Sequence, residues 1–153
     1  MEISLREPRS AADFASYYAL RWRILREPWT QSKDTARDHR EDAAVHLTAW
    51  VGEVLAGVGR LHFNTAEEAQ IRYMAVDPQF LRQGVGSAVL RELEDRARAS
   101  GATRVILNAR ESAVPFYRKQ GYALGGKSET LFGSIDHWFM SKEFDPYAPT
   151  EPR

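Results

Sequence analysis

A chain of 153 residues with 21 basic and 21 acidic side chains and no cysteine has room for one domain with a substantial core, and its balanced charge gives no footing for nucleic acid. The lack of cysteine excludes disulfides, thiolate metal sites and a cysteine nucleophile. Charges stand within the first few residues without the apolar run of a signal peptide, and no segment approaches a membrane span, so a soluble, cytoplasmic protein with no membrane partner is expected. No Pro/Gly/Ser-rich linker interrupts residues 1–145, which read as one domain. Residues 146–153, with Pro146, Pro149 and Pro152, read as a surface tail.

In chain order, Glu2 to Arg6 alternates polar and apolar and reads as a short strand. Ser10 can cap a helix running from Asp13 to about Arg26, in which Phe14, Tyr17, Tyr18, Leu20, Trp22, Ile24 and Leu25 form a broad packing face and the intervening arginines solvate. Glu27-Pro28-Trp29 breaks it, and Thr30 to Asp42 reads as a polar loop with a helical turn. His46–Val51 and Val54–Phe63 are strands joined by a hairpin at Gly52-Glu53. Gly57 and Gly59 weaken the second of these and mark a bulge or a close approach of backbone. Asn64 to Glu68 turns the chain into a third strand, ending near Asp77-Pro78, which completes an antiparallel meander.

Next comes Leu81-Arg82-Gln83-Gly84-Val85-Gly86-Ser87, opening a helix whose stripe Val85, Val89, Leu93, Ala97 recurs every four residues and stops at Ser100-Gly101. Gly84 and Gly86 leave room for a bulky ligand beside amides that have no partner within the helix. The helix dipole and Arg82 add positive potential there, so the loop suits a phosphate. No Lys-Ser or Lys-Thr follows, so it is not a Walker loop, and Val89 stands where a dinucleotide fingerprint has its third glycine. Thr103–Asn108 reads as a strand covered on both faces, parallel to the one before the loop, which makes a βαβ unit. Ser112 is placed as the N-cap of a short helix containing Pro115 in its first turn and ending at Gly121. A strand starts at Tyr122 to Leu124, Ser128 to Ile135 reads as a loop or strand crossing, and His137–Ser141 forms the last strand. Together these make an α/β fold: a mixed, mostly antiparallel sheet of six to seven strands with helices on both faces.

Two blocks carry a resemblance. Leu81–Ser87 resembles motif A of the GNAT superfamily of acyl-CoA-dependent N-acetyltransferases, Gln/Arg-x-x-Gly-x-Gly/Ala, with Leu81 in the Gln/Arg position and Arg82 and Gln83 following. Asn108 to Tyr122 resembles the family's Asn strand end and its Ala-x-x-Phe-Tyr-x-x-x-Gly-Phe block, matched by Ala113, Phe116, Tyr117 and Gly121, with Tyr122 in place of the Phe. The second block follows the glycine loop by about 25 residues, as a βαβ unit requires, and the resemblance covers roughly Gln70 to Tyr122.

The resemblance implies a GNAT-like fold and acetyl transfer from acetyl-CoA to a primary amine of a small molecule or peptide, by direct attack in a ternary complex. It assigns the cosubstrate to Met74, Ala75, Val76, Arg82, Gln83, Gly84, Val85, Gly86, Ser87, Asn108, Ser112, Phe116 and Tyr117. Catalytic roles fall to Tyr117, as the acid beside the thioester sulfur, and Asn108. A phenol pKa of about 10 lies above a thiol's value of about 8.5, so proton transfer to the departing thiolate is feasible. Trp29 and His137 border the acceptor side in this reading. Asp42, His46, Glu68, Asp77, Glu111 and His137 could each accept a proton, but without diagnostic spacing they read as surface or structural groups. His39, His46, His62 and His137 form no metal set, and no metal is expected. Exposed strands pair many members of the family, so a homodimer is expected. The alternatives are a longer acyl-CoA on the same scaffold and a non-catalytic CoA-binding sensor or interaction module.

Overall fold

The computed structural model describes residues 1–144; residues 145–153, and with them the tail expected at 146–153, lie outside the described residues. Seven strands, β1 (Ser4–Arg6), β2 (Val45–Val51), β3 (Val54–Phe63), β4 (Glu68–Val76), β5 (Arg104–Arg110), β6 (Ala123–Leu131) and β7 (Ile135–Glu143), form a sheet in the order β1-β2-β3-β4-β5-β7-β6. β4 and β5 are parallel, with Glu68–Gln70 against Arg104–Ile106; β1 with β2, β2 with β3, β5 with β7 and β6 with β7 are antiparallel. The mixed, mostly antiparallel sheet expected from the strand spacing is therefore present. The helices are α1 (Ala11–Leu25), α2 (Val85–Ala99) and α3 (Val114–Lys119). The chain forms two compact units, Met1–His62 with Tyr73–Leu93, and Phe63–Arg72 with the described residues from Glu94 onward.

In the first unit α1 begins where Ser10 accepts a hydrogen bond from the Asp13 amide at 3.0 Å, satisfying an amide that the helix itself cannot. Its Tyr17 and Leu20 pack with Val58 of β3 and Ala75 of β4, and burial of each such side chain contributes about 1.5–3 kcal/mol. The next residue of β3, Gly59, faces the other way: a Cβ there would come within 2.8–2.9 Å of Met74 Sδ, Val89 Cγ1 and Leu93 Cδ1. Because neighbouring strand residues point to opposite faces, α1 and the first half of α2 cover opposite sides of β3. The glycines at 57 and 59 thus mark close approach. A register shift in the same hairpin leaves Ala56 between the pairs Ala49–Gly57 and Trp50–Leu55, an extra residue of the bulge type.

One expectation for α1 fails here. Arg21 is not solvated but fully buried, because partners from elsewhere in the unit meet its charge. The polar stretch after α1 carries three 3-10 turns, Glu27–Trp29, Lys33–Ala36 and Glu41–Ala43, in place of a loop with one helical turn.

In the second unit β5 alternates between buried and more exposed residues, with Val105, Leu107 and Ala109 inward and Asn108 exposed. It is not a strand buried on both faces; its run of β-branched residues is the same in either case, and its pairing partner β7 is antiparallel. Of the loop or strand crossing expected at Ser128 to Ile135, the strand is what forms: β6 runs to Leu131 and turns back at Phe132–Ser134. β6 ends the strand order and is exposed from Ala123 to Thr130, so no buried face imposed an apolar alternation on its sequence. Ser112 does not cap α3. It lies in the 3-10 turn Glu111–Ala113, and the residue in cap position is Ala113, which makes no side-chain cap bond. That turn displaces the helix start by one residue. α3 does stop just before Gly121, which follows the C-cap Gln120 and whose φ of 96° is in the left-handed region open to glycine.

Candidate active site

The glycine loop lies in the first unit, and its geometry is made of main chain. Leu81 to Gly84 are exposed. Arg82 has φ 62° and Gly84 φ 85°; two left-handed residues so close turn the chain sharply between the 3-10 turn Pro78–Phe80 and α2. A Cβ at Gly84 would meet nothing within 4 Å, so glycine is there for its backbone conformation. The first helical bond runs from the Ala88 amide to the Gly84 carbonyl at 3.0 Å, and the Val85 and Gly86 amides precede it without an intrahelical acceptor. No acidic residue occupies the first turn of α2 and two arginines, Arg96 and Arg98, occupy the last, so nothing in that turn offsets the positive end of the dipole. Arg82 is an exposed cation beside it, and Gln83 is tied to the preceding turn, its Nε2 donating to the Gln79 carbonyl at 3.2 Å.

The end of β4 meets this helix start. A Cβ at Gly57 would touch Val85 Cγ1, the Ala75 carbonyl and Val76 Cγ2 at 2.6, 3.4 and 3.7 Å, so Ala75, Val76 and Val85 gather around one glycine. Met74 lies one step along, over Gly59 with Val89 and Leu93. Tyr73, just before them, is 5% exposed with φ 59°. Asp77 closes the strand: its own amide donates to the Ala56 carbonyl at 2.8 Å, and its carboxylate accepts from the Gln79 amide at 2.9 Å and from Arg23 at 3.0 Å. The Gln79 amide first, and then Arg23, hold the Asp77 carboxyl below the usual range. Trp29 is half-buried in the turn after α1, its amide donating to the Arg26 carbonyl and its carbonyl accepting from Gln31 Nε2.

The same unit contains a buried ion cluster. Arg21 donates two hydrogen bonds to Glu41, at 2.8 and 2.9 Å. Arg60, also fully buried, donates to both Asp38 oxygens and to Glu41. The Tyr18 hydroxyl and the Asp38 amide complete the Glu41 carboxylate at 3.1 and 3.0 Å. Burial pulls the Glu41 carboxyl up, but Arg21, the Asp38 amide and the Arg60 charge outweigh it and leave it below the usual value. His46 lies 2.8 Å by Nδ1 from the Tyr17 hydroxyl and 2.7 Å by Nε2 from the Glu41 carbonyl. A carbonyl only accepts, so Nε2 carries the proton, Nδ1 accepts from Tyr17, and burial first lowers the His46 pKa. A single signal for the cluster stood in the sequence: Arg60 inside the apolar run of β3, where a charge needs a buried partner.

In the second unit, Tyr117 is 7% exposed and its ring meets those of Phe116 and Tyr122 edge-on at 5.0 and 5.7 Å. Burial pushes its hydroxyl well above the ordinary phenol value. Tyr122, which replaces the pattern's Phe, uses its hydroxyl: it donates to Glu94 at 2.8 Å, and Glu94 also accepts from Lys142. Asn108 is exposed and opposite Phe139 of β7, and Ser112 is exposed in its turn. His137, opposite Arg110, is buried, with Nδ1 3.0 Å from the Ile135 carbonyl of its own strand. A cavity of about 270 Å³ is lined by Glu111, Val114, Pro115, Leu124 and Trp138, so its wall is apolar but for one carboxylate. Glu68 accepts from Asn64 at 3.0 Å and lies 3.5 Å from Arg104. Among the described residues, no group of three His, Asp or Glu is arranged to hold a metal ion.

Residues 14–122 match the model of the acetyltransferase (GNAT) family. This chain belongs to the GNAT family. The uncharacterized N-acetyltransferase YjcF of Bacillus subtilis is 33% identical over 106 residues, which span 69% of this chain and 75% of that one. A GNAT acetyltransferase from Elizabethkingia anophelis, solved with acetyl-CoA bound, superposes with TM-score 0.77 at 17% identity, covering 93% of this chain and 98% of that one. An aminoglycoside 6′-N-acetyltransferase solved with coenzyme A gives 0.76 at 14%, covering 99% and 100%. At such identities the structural likeness speaks for the GNAT fold, and the family match for acetyl transfer from acetyl-CoA to an amine. No helix among the described residues is long and apolar enough to cross a membrane.

Proposed function

We propose that the protein transfers the acetyl group of acetyl-CoA to a primary amine of a small molecule or peptide by direct attack in a ternary complex. The observation that carries this reading is the loop from Arg82 to Ser87: two left-handed residues, a helix start without acidic neighbours, and the Ala75–Val76–Val85 junction around Gly57. These residues fit a diphosphate, because preorganised amides and a dipole need no reorganisation when an anion arrives. Acetyl-CoA supplies the thioester. Gly84, Val85, Gly86 and Ser87 hold its diphosphate, with Arg82 and Gln83 beside it, and the backbone of Met74, Ala75 and Val76 pairs with the pantetheine as an added strand would. Anchoring at both points makes the attack effectively intramolecular.

Tyr117 serves the sulfur. Its raised pKa widens the gap to a thiol, so the phenol stays protonated and acts as a hydrogen-bond donor to the departing sulfur more than as a full acid. Asn108, Ser112 and Phe116 are assigned to the cosubstrate's arm, and Trp29 and His137 to the acceptor side. Pairing into a homodimer and a cytoplasmic location belong to the same proposal.

Calorimetric titration with acetyl-CoA and free CoA tests it. Wild type binds both, and Gly86→Glu, which sets a carboxylate against the diphosphate, loses affinity by at least about a hundredfold. With binding established, an amine screen read by CoA release should give turnover that Tyr117→Phe lowers by about a hundredfold without weakening CoA binding. A wild type that binds neither CoA species overturns the reading. Binding without turnover on any amine favours the sensor.

A further inference from the structure

Among the described residues, four other than glycine have a left-handed φ: Thr30, Tyr73, Arg82 and Phe132. Three lie in turns or loops, and Tyr73 alone lies inside a strand. An aromatic side chain disfavours that conformation, so the surroundings must hold it there. What surrounds it is cationic. The Arg21 guanidinium lies over the Tyr73 ring at 3.8 Å from its centroid, with Arg60 at 5.0 Å and Arg26 at 5.6 Å.

Arg21 in turn cannot drift, because both of its terminal nitrogens are bonded to Glu41, which Arg60 also grips. Arg26 is fixed as well, its Nε donating to the Thr35 carbonyl at 2.9 Å. A planar guanidinium stacks flat on a ring while its in-plane N–H groups bond a carboxylate in a fork, a geometry that a tetrahedral ammonium lacks. The φ of Tyr73 sets the direction of the next peptide groups. Beyond it Met74 and Val76 turn toward Gly59 and Gly57, and Ala75 toward α1.

We propose that Arg21 is a positioning residue for acetyl-CoA: clamped by Glu41 and stacked on Tyr73, it holds the left-handed turn in β4 that aims the main chain of residues 74–76 at the pantetheine arm. The proposal rests on the reading that this stretch of β4 binds that arm. It acts through Tyr73 and touches neither cosubstrate nor acceptor.

The test separates the two halves of the cosubstrate. Affinities for acetyl-CoA and for 3′-phosphoadenosine 5′-diphosphate, which carries the diphosphate but no pantetheine, are measured by calorimetry on wild type, Arg21→Lys, Tyr73→Gly and Tyr73→Phe. Arg21→Lys keeps a cation for Glu41 but loses the stack. It should bind acetyl-CoA about tenfold more weakly while its affinity for the nucleotide half stays within about twofold. Tyr73→Gly accepts the backbone angle, lacks the ring and should reproduce that split; Tyr73→Phe keeps the ring and should not show the split. Tyr73→Gly leaves every ion pair in place, so it decides alone if Arg21→Lys does not fold. Equal losses for both ligands, or none in either variant, overturn the proposal. A wild type that binds neither ligand fails earlier, on the function itself.

Discussion

The glycine loop at residues 81–87 and the ion cluster around Glu41 belong to the same unit and are constructed in opposite ways. The loop is main chain and largely exposed, with Gly84 at φ 85° over open space. The cluster is side chain and sealed, with Arg21 and Arg60 at zero exposure and their charges spent on Asp38 and Glu41. Groups that water can reach cost little to leave unpaired, whereas a buried charge that loses its partner keeps its full desolvation penalty. Damage to the loop should therefore fall on binding, and damage to the cluster on stability.

The largest expected effect is that of Glu41→Gln. An amide cannot neutralise the buried Arg21 guanidinium, whose only carboxylate among the described residues is Glu41, and it leaves Arg60 with the Asp38 carboxylate alone, so the variant should lose about 3–5 kcal/mol, which for a chain of this size lowers Tm by about 10 °C. Urea denaturation followed by circular dichroism checks it; a loss below about 1 kcal/mol would mean that the cluster behaves as a surface pair. Acid sharpens the point. The folded Glu41 pKa is depressed below its unfolded value of 4.5, so its contribution is present above that value and is lost as pH falls through the folded pKa. The stability of Glu41→Gln should fall less steeply over that acid range than that of the wild type.

The same contrast explains what could be read in advance. The loop announces itself because conformation and chemistry both reside in adjacent residues: a strand stop at Asp77-Pro78, two glycines and a four-residue stripe. Gly121 was legible for the same reason. The cluster draws Arg21 from α1, Asp38 and Glu41 from the polar segment and Arg60 from β3, and nothing local in Lys33 to Asp42 distinguishes Glu41 from the acids around it. Arg21 reads as solvated because a helix pattern shows which face is apolar, not which charge finds a partner on the buried side. Ser128 to Leu131 reads as either loop or strand crossing because an edge strand exposed on both faces carries no alternation to decide it, and Ser112 reads as a cap because the 3-10 turn before α3 leaves no mark of its own.

Gly84→Ala comes next in size and tests the loop as main chain. Its Cβ would touch nothing, so the whole effect is the cost of holding a left-handed alanine, about 1 kcal/mol. If the loop relaxes to escape that cost, acetyl-CoA binding should weaken by about tenfold or more, with a loss of stability far below that of Glu41→Gln. Gly84→Asn should bind better than Gly84→Ala, because asparagine tolerates this region. Calorimetry beside thermal melting separates the two quantities. Unchanged binding in Gly84→Ala would mean that the left-handed turn at 84 does not shape the cradle.

Asp77 tests the smallest difference, since it joins both kinds of construction at the entry to the loop. One oxygen accepts from the Gln79 amide and the other from Arg23, whose side chain is 49% exposed. The backbone bond is a cap on the turn leading to the glycines, whereas an ion pair with so exposed a partner is screened and adds little. Asp77→Ala should therefore cost about 1 kcal/mol and Asp77→Asn, whose side-chain carbonyl can still accept from Gln79, only a few tenths. Added salt should leave the difference between the variants unchanged, because the cap is local and only the Arg23 attraction is screened. If Asp77→Asn lost as much as Asp77→Ala, and the loss vanished in salt, the entry to the loop would be held by charge after all, as the Glu41 cluster is, and not by the main chain.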